Sequence, residues 1–540
     1  MNRQLTMAGI VLVLLAWMGI SAERPNIVLF FVDDLGWNNL GYRNPELFET
    51  PYIDRLAQEG IDFQQCYVAS PTCSPSRATL LTGKHPARLK LVRHITGKSK
   101  AAKLVYDEQG RASHHLWLAD PAQFPSKNWV DLEQVTYAEA LKAQGYYNLF
   151  VGKWHLGPKA FHPIHQGFDR QIGTTDRGSP SNYYPDYFRD EDVLQDETEA
   201  YLTDKLTNET VKFIKGYDRD QPFMVSLWYY NVHTPHSGRK DLVTRFAGKE
   251  GLKGKRAIYA AQVKAVDESV GRVRATLKAK GLDQNTLIIF TSDQGSFFEW
   301  APYRGGKRVD TLCEGGARVP FIVSWPGVAH AGVKNNSVIQ TTDVFPTLVE
   351  LAGADPAAFQ DLDGVSLLGT IKDNSPLERG KPIFGYRAYE DLYASVREGD
   401  WKLLAYRSGM LKLYHVLRDR QEEEDLAGSR PDKVKALTAK LIAWEKEMGV
   451  EEYSGVFRPV TGHAFLGNWA LVMPDGQAGW LSFAVEEGTI KGQLWTVGAS
   501  KPLTALRIDG GTFHFKRRCA IGKPAYAGGP PTGKKILVQH

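Results

Sequence analysis

Four continuous apolar runs in this chain each end abruptly in groups able to carry charge, a metal or a proton. PNIVLFFVDD ends in Asp33 and Asp34, and YYNLFVGKWHLG closes with Lys153 and His155. PFMVSLWYYNVHTPH ends in His233 and His236, and NTLIIFTSDQG in Asp293 and Gln294. Apolar runs without alternation mark strands buried on both faces, as in parallel sheets. Between them lie amphipathic stretches such as TPYIDRLAQEG, TYAEALKAQGY and IYAAQVKAVDESVGRVRATLKAKG. Strands alternating with helices predict an α/β fold, a central sheet flanked by helices. Ligands of such sheets sit beyond the carboxyl ends of the strands. Four strands therefore deliver carboxylates, a lysine and imidazoles to one edge.

The first residues have a different texture. Arg3 precedes the apolar run MAGIVLVLLAWMGI, and SAE offers a small-residue cleavage site after Ala22. Residues 1–22 read as a secretory signal peptide, which predicts a secreted or periplasmic protein. No cysteine follows the run, which argues against a lipoprotein anchor, and no later run is long enough to span a bilayer. Residues 23–364 form the α/β domain on this reading. Residues 365–455 hold YASVREGDWKLLAY, two strands about a turn at Glu398 to Asp400, then KLYHV and the amphipathic PDKVKALTAKLIAWEKEMG. They predict a smaller α+β subdomain. Residues 461–540 read as strand, turn and strand in WALVMPDGQAGWLSFAV and again in LTALRIDGGTFHFKRR, whose Gly-Gly pair suits a tight hairpin. They predict an all-β accessory module, with GGPPTGKKILVQH as either an edge strand or the end of an incomplete module.

The net charge of +5 resides in that module, which has nine Lys/Arg against four Asp/Glu. The rest balances, and no long basic stripe marks a nucleic-acid partner. The four cysteines are Cys66, Cys73, Cys313 and Cys519, so at most one disulfide forms if Cys73 has another use. A chain of this size needs few staples.

Asp33 and Asp34, adjacent at a strand end, repel each other unless a cation or proton intervenes. With Asp293 and the amide oxygen of Gln294 they offer oxygen ligands to a hard divalent ion, calcium first and magnesium second. Nothing in the pattern offers a zinc-type cluster of thiolates or imidazoles. Arg77, Lys153 and Lys307 suit a tetrahedral oxyanion, Arg as a fork and Lys as a point charge. His155 and His233 can move protons. Together they predict a metal-dependent hydrolase of a phosphate or sulfate ester, with Cys73 as one candidate nucleophile.

Cys73 lies in SPTCSPSRATLLTGK, a polar run opening a predicted helix. Its CSPSR, followed by LLTGK, resembles the signature of the type I sulfatases of the alkaline phosphatase superfamily. PNIVLFFVDDLGW, GKWHLG, GFD (Gly167 to Asp169), TSDQG, EGGARVPFIVSWPG and DWKL occur in the family's order, over roughly residues 24 to 450. The resemblance implies an alkaline phosphatase-like mixed sheet and a sulfuric ester hydrolase. It implies that a formylglycine-generating enzyme oxidises Cys73 to Cα-formylglycine, and that Asp33, Asp34, Asp293, Gln294 and residue 73 hold one calcium ion. In the family the aldehyde is hydrated and one hydroxyl attacks sulfur. Arg77 and Lys153 then hold and polarise residue 73, and His155 assists the collapse that expels sulfate. His233 and Lys307 bind the sulfate and protonate the leaving alcohol. Two positions depart from the pattern: Asn or His is usual where this chain has Gln294, and Arg308 beside Lys307 makes their roles exchangeable, with the GGK context favouring Lys307.

An exported sulfatase is expected to act on a sulfated carbohydrate, with small aryl sulfates as generic substrates. Expected contacts are His162 and His165 in HPIHQ, the stretch SNYYPDYFRDED, and His236 with Arg239. The rival enzyme reading is a phosphomonoesterase or phosphonate-ester hydrolase of the same superfamily. The non-enzyme rival is a sulfated-glycan-binding protein, against which the oxidisable Cys73 argues. Trp469, Trp480, Trp495 and the cluster Lys516, Arg517 and Arg518 are candidates for glycan contact in the accessory module, whose tryptophans equally suit a core. Asn208 in NET and Asn335 in NNS are glycosylation sequons for a eukaryotic source.

Overall fold

The computed structural model describes residues 24–453, apart from 98, 119, 121–122, 190–192, 195–199, 389–391 and 407–409, and beyond 453 only eight strands within 467–539. The proposed signal peptide, Arg518 and Cys519 lie outside the described residues.

In chain order, β1 (Asn26–Val32) and β2 (Ile61–Tyr67) precede a small sheet of β3 (Ala102–Tyr106), β4 (Ala112–Trp117) and β5 (Ser126–Lys127). There follow β6 (Tyr147–Gly152), β7 (Arg170–Ile172), β8 (Phe223–Trp228), β9 (Thr286–Ser292), β10 (Arg318–Val319), β11 (Phe321–Ser324) and β12 (Val333–Gln340). The central sheet runs β10-β2-β11-β9-β1-β8-β6-β7, with β12 paired to β2. It is mixed: β9, β1, β8, β6 and β7 are parallel, while β11 runs antiparallel between β9 and β2.

The sequence of β1 explains why the sheet is covered on both sides. Ile27, Leu29 and Phe31 enter one apolar core, and Val28, Phe30 and Val32 the other. Period-two alternation sends neighbouring side chains to opposite faces, so a strand apolar at every position must be sandwiched. One face carries the helices Pro51–Gln58, Leu202–Gly216 and Lys255–Ala279; the other carries Cys73–Thr82, Tyr137–Ala143 and Val344–Leu351. Leu368 and Ile371 also join that second core. Truncating a core ring such as Phe30 to alanine costs about 3–5 kcal/mol.

A second, antiparallel sheet follows, of β13 (Ile383–Tyr386), β14 (Leu392–Glu398), β15 (Trp401–Tyr406) and β16 (Leu411–His415). The helix Pro431–Met448 packs Leu437, Leu441 and Trp444 into its core. Buried charges tie this sheet to the larger one: Lys402 lies 3.0 Å from both Glu314 and Glu422, and Arg397 donates to Tyr67 and Gln65.

The last strands are β17 (Gly467–Val472), β18 (Ala478–Glu486), β19 (Thr489–Thr496), β20 (Ala499–Pro502), β21 (Thr504–Asp509), β22 (Thr512–Arg517), β23 (Ala525–Ala527) and β24 (Lys535–Gln539). They form one sheet in the order β20-β19-β18-β17-β24-β23-β22-β21. The closing run is thus an interior strand, paired to β17 and β23, and not an edge. The consecutive Ile536, Leu537 and Val538 suit a strand with neighbours on both sides.

Cys66, Cys73 and Cys313 are all free and buried. Asn208 is exposed, whereas Asn335 is buried and donates to Asn374, which shields that sequon. Among the described residues no helix is long and apolar enough to cross a membrane.

Candidate active site

The parallel register brings the carboxyl ends of β1, β6, β8 and β9 level, with Val32 beside Ser292, Phe31 beside Trp228, and Gly152 beside Trp228. Asp33 and Asp34 therefore emerge next to Asp293 and Gln294. Ser292 Oγ pins the two chains, donating to the Val32 carbonyl and accepting from the Leu35 N–H, each at 3.0 Å. Asp34 adopts φ of +62° and His155 +56°, left-handed conformations that cost free energy and cluster at functional sites. The Asp34 N–H donates to Asp293 Oδ1 at 3.0 Å.

Cys73 is the first residue of a ten-residue helix, Cys73–Thr82, buried along its whole length. The helix starts where the Ser76 N–H donates to the Thr72 carbonyl, and it stops at Gly83, whose φ of +69° favours glycine. The helix thus aims its positive end at the strand ends. The Cys73 sulfur lies 3.2 Å from Gln294 Nε2, 3.8 Å from Asp33 Oδ1 and 3.8 Å from Lys307 Nζ. One imidazole nitrogen of His233 lies within 4.8 Å of that sulfur and of an Asp33 oxygen.

Around the sulfur, three carboxylates meet three cations. Arg77 Nη2 reaches Asp293 at 2.9 Å and Asp33 at 3.6 Å, while Nη1 donates to the Lys153 carbonyl. Lys153 pairs with Asp33, and Lys307 with Asp34 at 2.8 Å. Burial alone would raise the Asp33 carboxyl, but Lys153, His233, Arg77 and Lys307 hold it far below the usual range. Burial wins at Asp34, which is raised, and at Asp293, raised further by the charge of Asp33. For Cys73, burial is outweighed by Lys153 and Lys307, with help from His155, so the thiol is strongly acidified.

The donor set fits a hard divalent cation. Oxygens of Asp33, Asp34 and Asp293 all lie within 4.8 Å of one another, and the buried Oε1 of Gln294 has no hydrogen-bond partner. Its Nε2 instead faces Asp34 and the sulfur, and turning the amide by 180° presents the oxygen to the carboxylates.

Two histidines flank the sulfur with fixed tautomers. His155 Nε2 donates to the Ile95 carbonyl at 3.1 Å, and His233 Nδ1 donates to the Thr234 carbonyl at 2.8 Å. Lys307, not Arg308, is the residue against Asp34 and Cys73; Arg308 is exposed, 5.2 Å from the Phe297 ring centre.

A cavity of about 610 Å³ opens over this constellation. Cys73, His155, His233, Gln294 and Lys307 line it, as do Arg93, Trp117, Phe297 and Arg387, which the sequence did not single out. These last come from loops and from the ends of β4 and β13, and no periodic pattern marks them. The expected substrate contacts are elsewhere. His162 pairs with Asp176, His165 is exposed, His236 packs on Phe297 and Phe298, and Arg239 is held by Asp204, Asp241 and Glu268. Tyr183 and Tyr187 of SNYYPDYFRDED are buried and donate to backbone carbonyls. None of these lines the cavity.

Comparison with known proteins gives the same picture. Residues 25–354 match the family model "Sulfatase", and residues 307–447 match "N-sulphoglucosamine sulphohydrolase, C-terminal". The chain is 34% identical over 410 residues to N-acetylgalactosamine-6-sulfatase of Mus musculus, covering 71% of this chain and 73% of the relative. It is 32% identical to steryl-sulfatase of Rattus norvegicus, with 67% and 73% covered. The crystal structure of Ps i-CgsB in complex with k-i-k-neocarrahexaose superposes with a TM-score of 0.67 at 27% identity, over 80% of this chain and 94% of that one.

Proposed function

This chain belongs to the sulfatase family and is a sulfuric ester hydrolase; on that premise we propose that it desulfates a carbohydrate ester with Cys73 matured to Cα-formylglycine and one calcium ion bound. The observation that carries the reading is the position of the Cys73 sulfur, at a helix N-terminus and within 3.8 Å of Asp33, Gln294 and Lys307. The N-acetylgalactosamine-6-sulfatase relative and the carrahexaose complex support a carbohydrate substrate.

Asp33, Asp34, Asp293, Gln294 and residue 73 would hold the ion, which supplies positive charge to the sulfate oxygens. The hydrated aldehyde supplies an oxygen nucleophile where the thiol stands. Lys153 and Lys307 favour an ionised oxygen there, through the field that acidifies the thiol. Arg77 fixes the Asp293 carboxylate and the Lys153 backbone. With Nε2–H committed to Ile95, His155 keeps Nδ1 as the acceptor for a proton from residue 73. Lys307 stays charged, because Asp34, Cys73 and Asp33 outweigh its burial. Lys307 is the donor for the leaving oxygen, with His233 beside it within 4.8 Å of the sulfur. Removing one such donor costs about 10²–10³ in rate.

Charge favours sulfate over the rival phosphate. Arg77, Lys153 and Lys307 cancel Asp33, Asp34 and Asp293. A divalent ion then matches a singly charged sulfate ester plus one ionised oxygen, and a phosphate dianion exceeds this by one charge. Parallel kinetics on matched sulfate and phosphate esters test this, with faster sulfate turnover expected.

Export through residues 1–22 and maturation by a formylglycine-generating enzyme complete the proposal. Mass spectrometry of the peptide containing Cys73 tests maturation. Sulfur and two hydrogens are exchanged for one oxygen, and an unmodified thiol in active enzyme would defeat the mechanism. Residues 461–540 are proposed as an accessory module, whose deletion leaves turnover of small esters in place.

A further inference from the structure

Lys307 protonates the leaving oxygen on this reading, yet it comes from a loop. Residues 293–313, all of them described, form neither helix nor strand. A lysine ammonium rides on a flexible four-carbon stem. Here it stands 2.8 Å from Asp34 and 3.8 Å from the Cys73 sulfur. It keeps that place only if the backbone at 307 is held.

The loop is held from both sides of Lys307. The Lys307 N–H donates to the Ser296 carbonyl at 2.8 Å, and the Gly306 N–H to the Val309 carbonyl at 2.9 Å. Around these bonds an ion pair closes the loop. Arg304, three residues before Lys307, donates from Nε at 2.7 Å to Oδ2 of Asp310, three residues after it. Asp310 is buried and adopts φ of +45°, a left-handed conformation that costs free energy in any residue but glycine. The turn is drawn so tight that a Cβ on Gly305 would lie 2.3 Å from the Asp310 carbonyl oxygen.

Arg304 also ties the loop to the second sheet. Its Nη1 donates to the Glu422 carbonyl at 3.2 Å. Glu422 is fully buried; its Oε2 accepts from the Glu314 N–H at 2.7 Å, and its Oε1 lies 3.0 Å from Lys402 of β15. A guanidinium serves a carboxylate and a carbonyl at once from separate donors in one rigid plane, which an ammonium does not. Neither Arg304 nor Asp310 is among the described residues that line the cavity, so the pair reaches the reaction through Lys307.

We propose that Arg304 and Asp310 are positioning residues for proton transfer from Lys307 to the leaving oxygen, with Glu422 as their anchor on the second sheet. The inference rests on the reading of Lys307 as the donor. It predicts a selective defect. A basic leaving alcohol departs only with a proton, whereas a nitrophenolate departs without one, so help from the acid grows with the basicity of the leaving group. Loosening the loop should therefore slow esters of basic leaving groups most.

The experiment measures kcat/KM of the mature, calcium-loaded full chain on 4-nitrophenyl, phenyl and 4-methoxyphenyl sulfate, a series of rising leaving-group basicity. Arg304→Ala should lose roughly 10²-fold on the methoxyphenyl ester and less than about threefold on the nitrophenyl ester, which steepens the dependence on leaving-group pKa. Arg304→Lys, which keeps the charge but not both anchors, should fall between Arg304→Ala and the parent. Asp310→Asn, which keeps the shape of the turn, should steepen the series in the same direction and serves where Arg304→Ala does not fold. A purely structural role would instead lower all three rates by one factor, and that result would overturn the proposal, as would an unchanged series. Lys307→Ala separates the two readings. If it steepens the series while Arg304→Ala and Asp310→Asn do not, only the positioning role is lost. If Lys307→Ala leaves the slope unchanged, the reading of Lys307 as donor fails and this proposal fails with it. In the Lys307→Ala background Arg304→Ala should add no further steepening, and an added effect there would show that Arg304 does not act through Lys307.

Discussion

Arg77 Nη2 donates to Asp293 Oδ2 at 2.9 Å, and neither side chain has any exposed surface. The pair joins the helix that begins at Cys73 to the end of β9, so it sets where residue 73 meets the carboxylates. Replacing Arg77 by alanine leaves Asp293 buried and unpaired. The expected loss is about 3–5 kcal/mol, read from urea unfolding in chelator. Arg77→Lys, which keeps the charge but not the second donor to the Lys153 carbonyl, should lose less.

Chelation should abolish turnover and leave the fold intact, because three fixed cations already face the three carboxylates. Added calcium should restore activity and raise the unfolding temperature; at a hundredfold excess over Kd the gain is about 2.7 kcal/mol. Gln294→Ala should weaken calcium binding by roughly 10- to 100-fold. A calcium titration of the unfolding temperature that is the same in both proteins would refute a ligand role for Gln294.

Gly178 lines the cavity, and a Cβ there would lie 2.3 Å from Cε1 of His155. Gly178→Ala should therefore push the imidazole off its place while the sheet stays folded. A displacement near 1 Å costs on the order of 10²-fold in rate. The checks are a fall in kcat larger than any change in KM, and an unfolding temperature close to that of the parent. A variant with unchanged kcat would show that the ring moves aside without consequence.

His85 is fully buried and satisfied only when neutral: Nε2 donates to the Phe384 carbonyl at 3.1 Å and Nδ1 accepts from the Ala87 N–H at 3.2 Å. Burial lowers its pKa from 6.5 to about 4, and burial does the same for His115. The folded-state value lies below the unfolded one. The stability is thus fully present above pH 6.5 and is lost as pH falls towards 4, by about 3 kcal/mol for His85. Asp267, pushed up to about 6 by burial, acts in the opposite sense over part of that window. His85→Gln should flatten the decline in stability between pH 7 and 5, measured by urea unfolding at each pH. An unchanged slope would exclude His85 as a source.

The strand ends show how much of the site was legible in sequence. Asp33, Lys153, His233 and Asp293 each follow a run of consecutive apolar residues, and such runs must become sandwiched strands. Parallel strands have a common carboxyl edge, so the residues after them had to meet. The rest of the cavity lining was not legible in this way. Arg93 and Trp117 are 24 positions apart in loop and edge-strand sequence, and nothing periodic links them. Sugar-compatible residues such as His162 and Arg239 were misleading for the same reason, since each is engaged by a nearby carboxylate that composition does not reveal.

Local pattern by itself determined the layered α/β architecture and the edge at which chemistry is gathered, while Cys73 was singled out as its centre by the resemblance of CSPSR to the type I sulfatase signature. The first two follow from strand periodicity and from short-range rules that act within a few residues. Tertiary structure alone decided that β24 is interior and that arginines from separate segments line one cavity, and it placed Lys307, which the GGK context only favoured, against Cys73. Those outcomes depend on how loops of unrelated sequence approach across space, and only the packing of the whole chain fixes that approach.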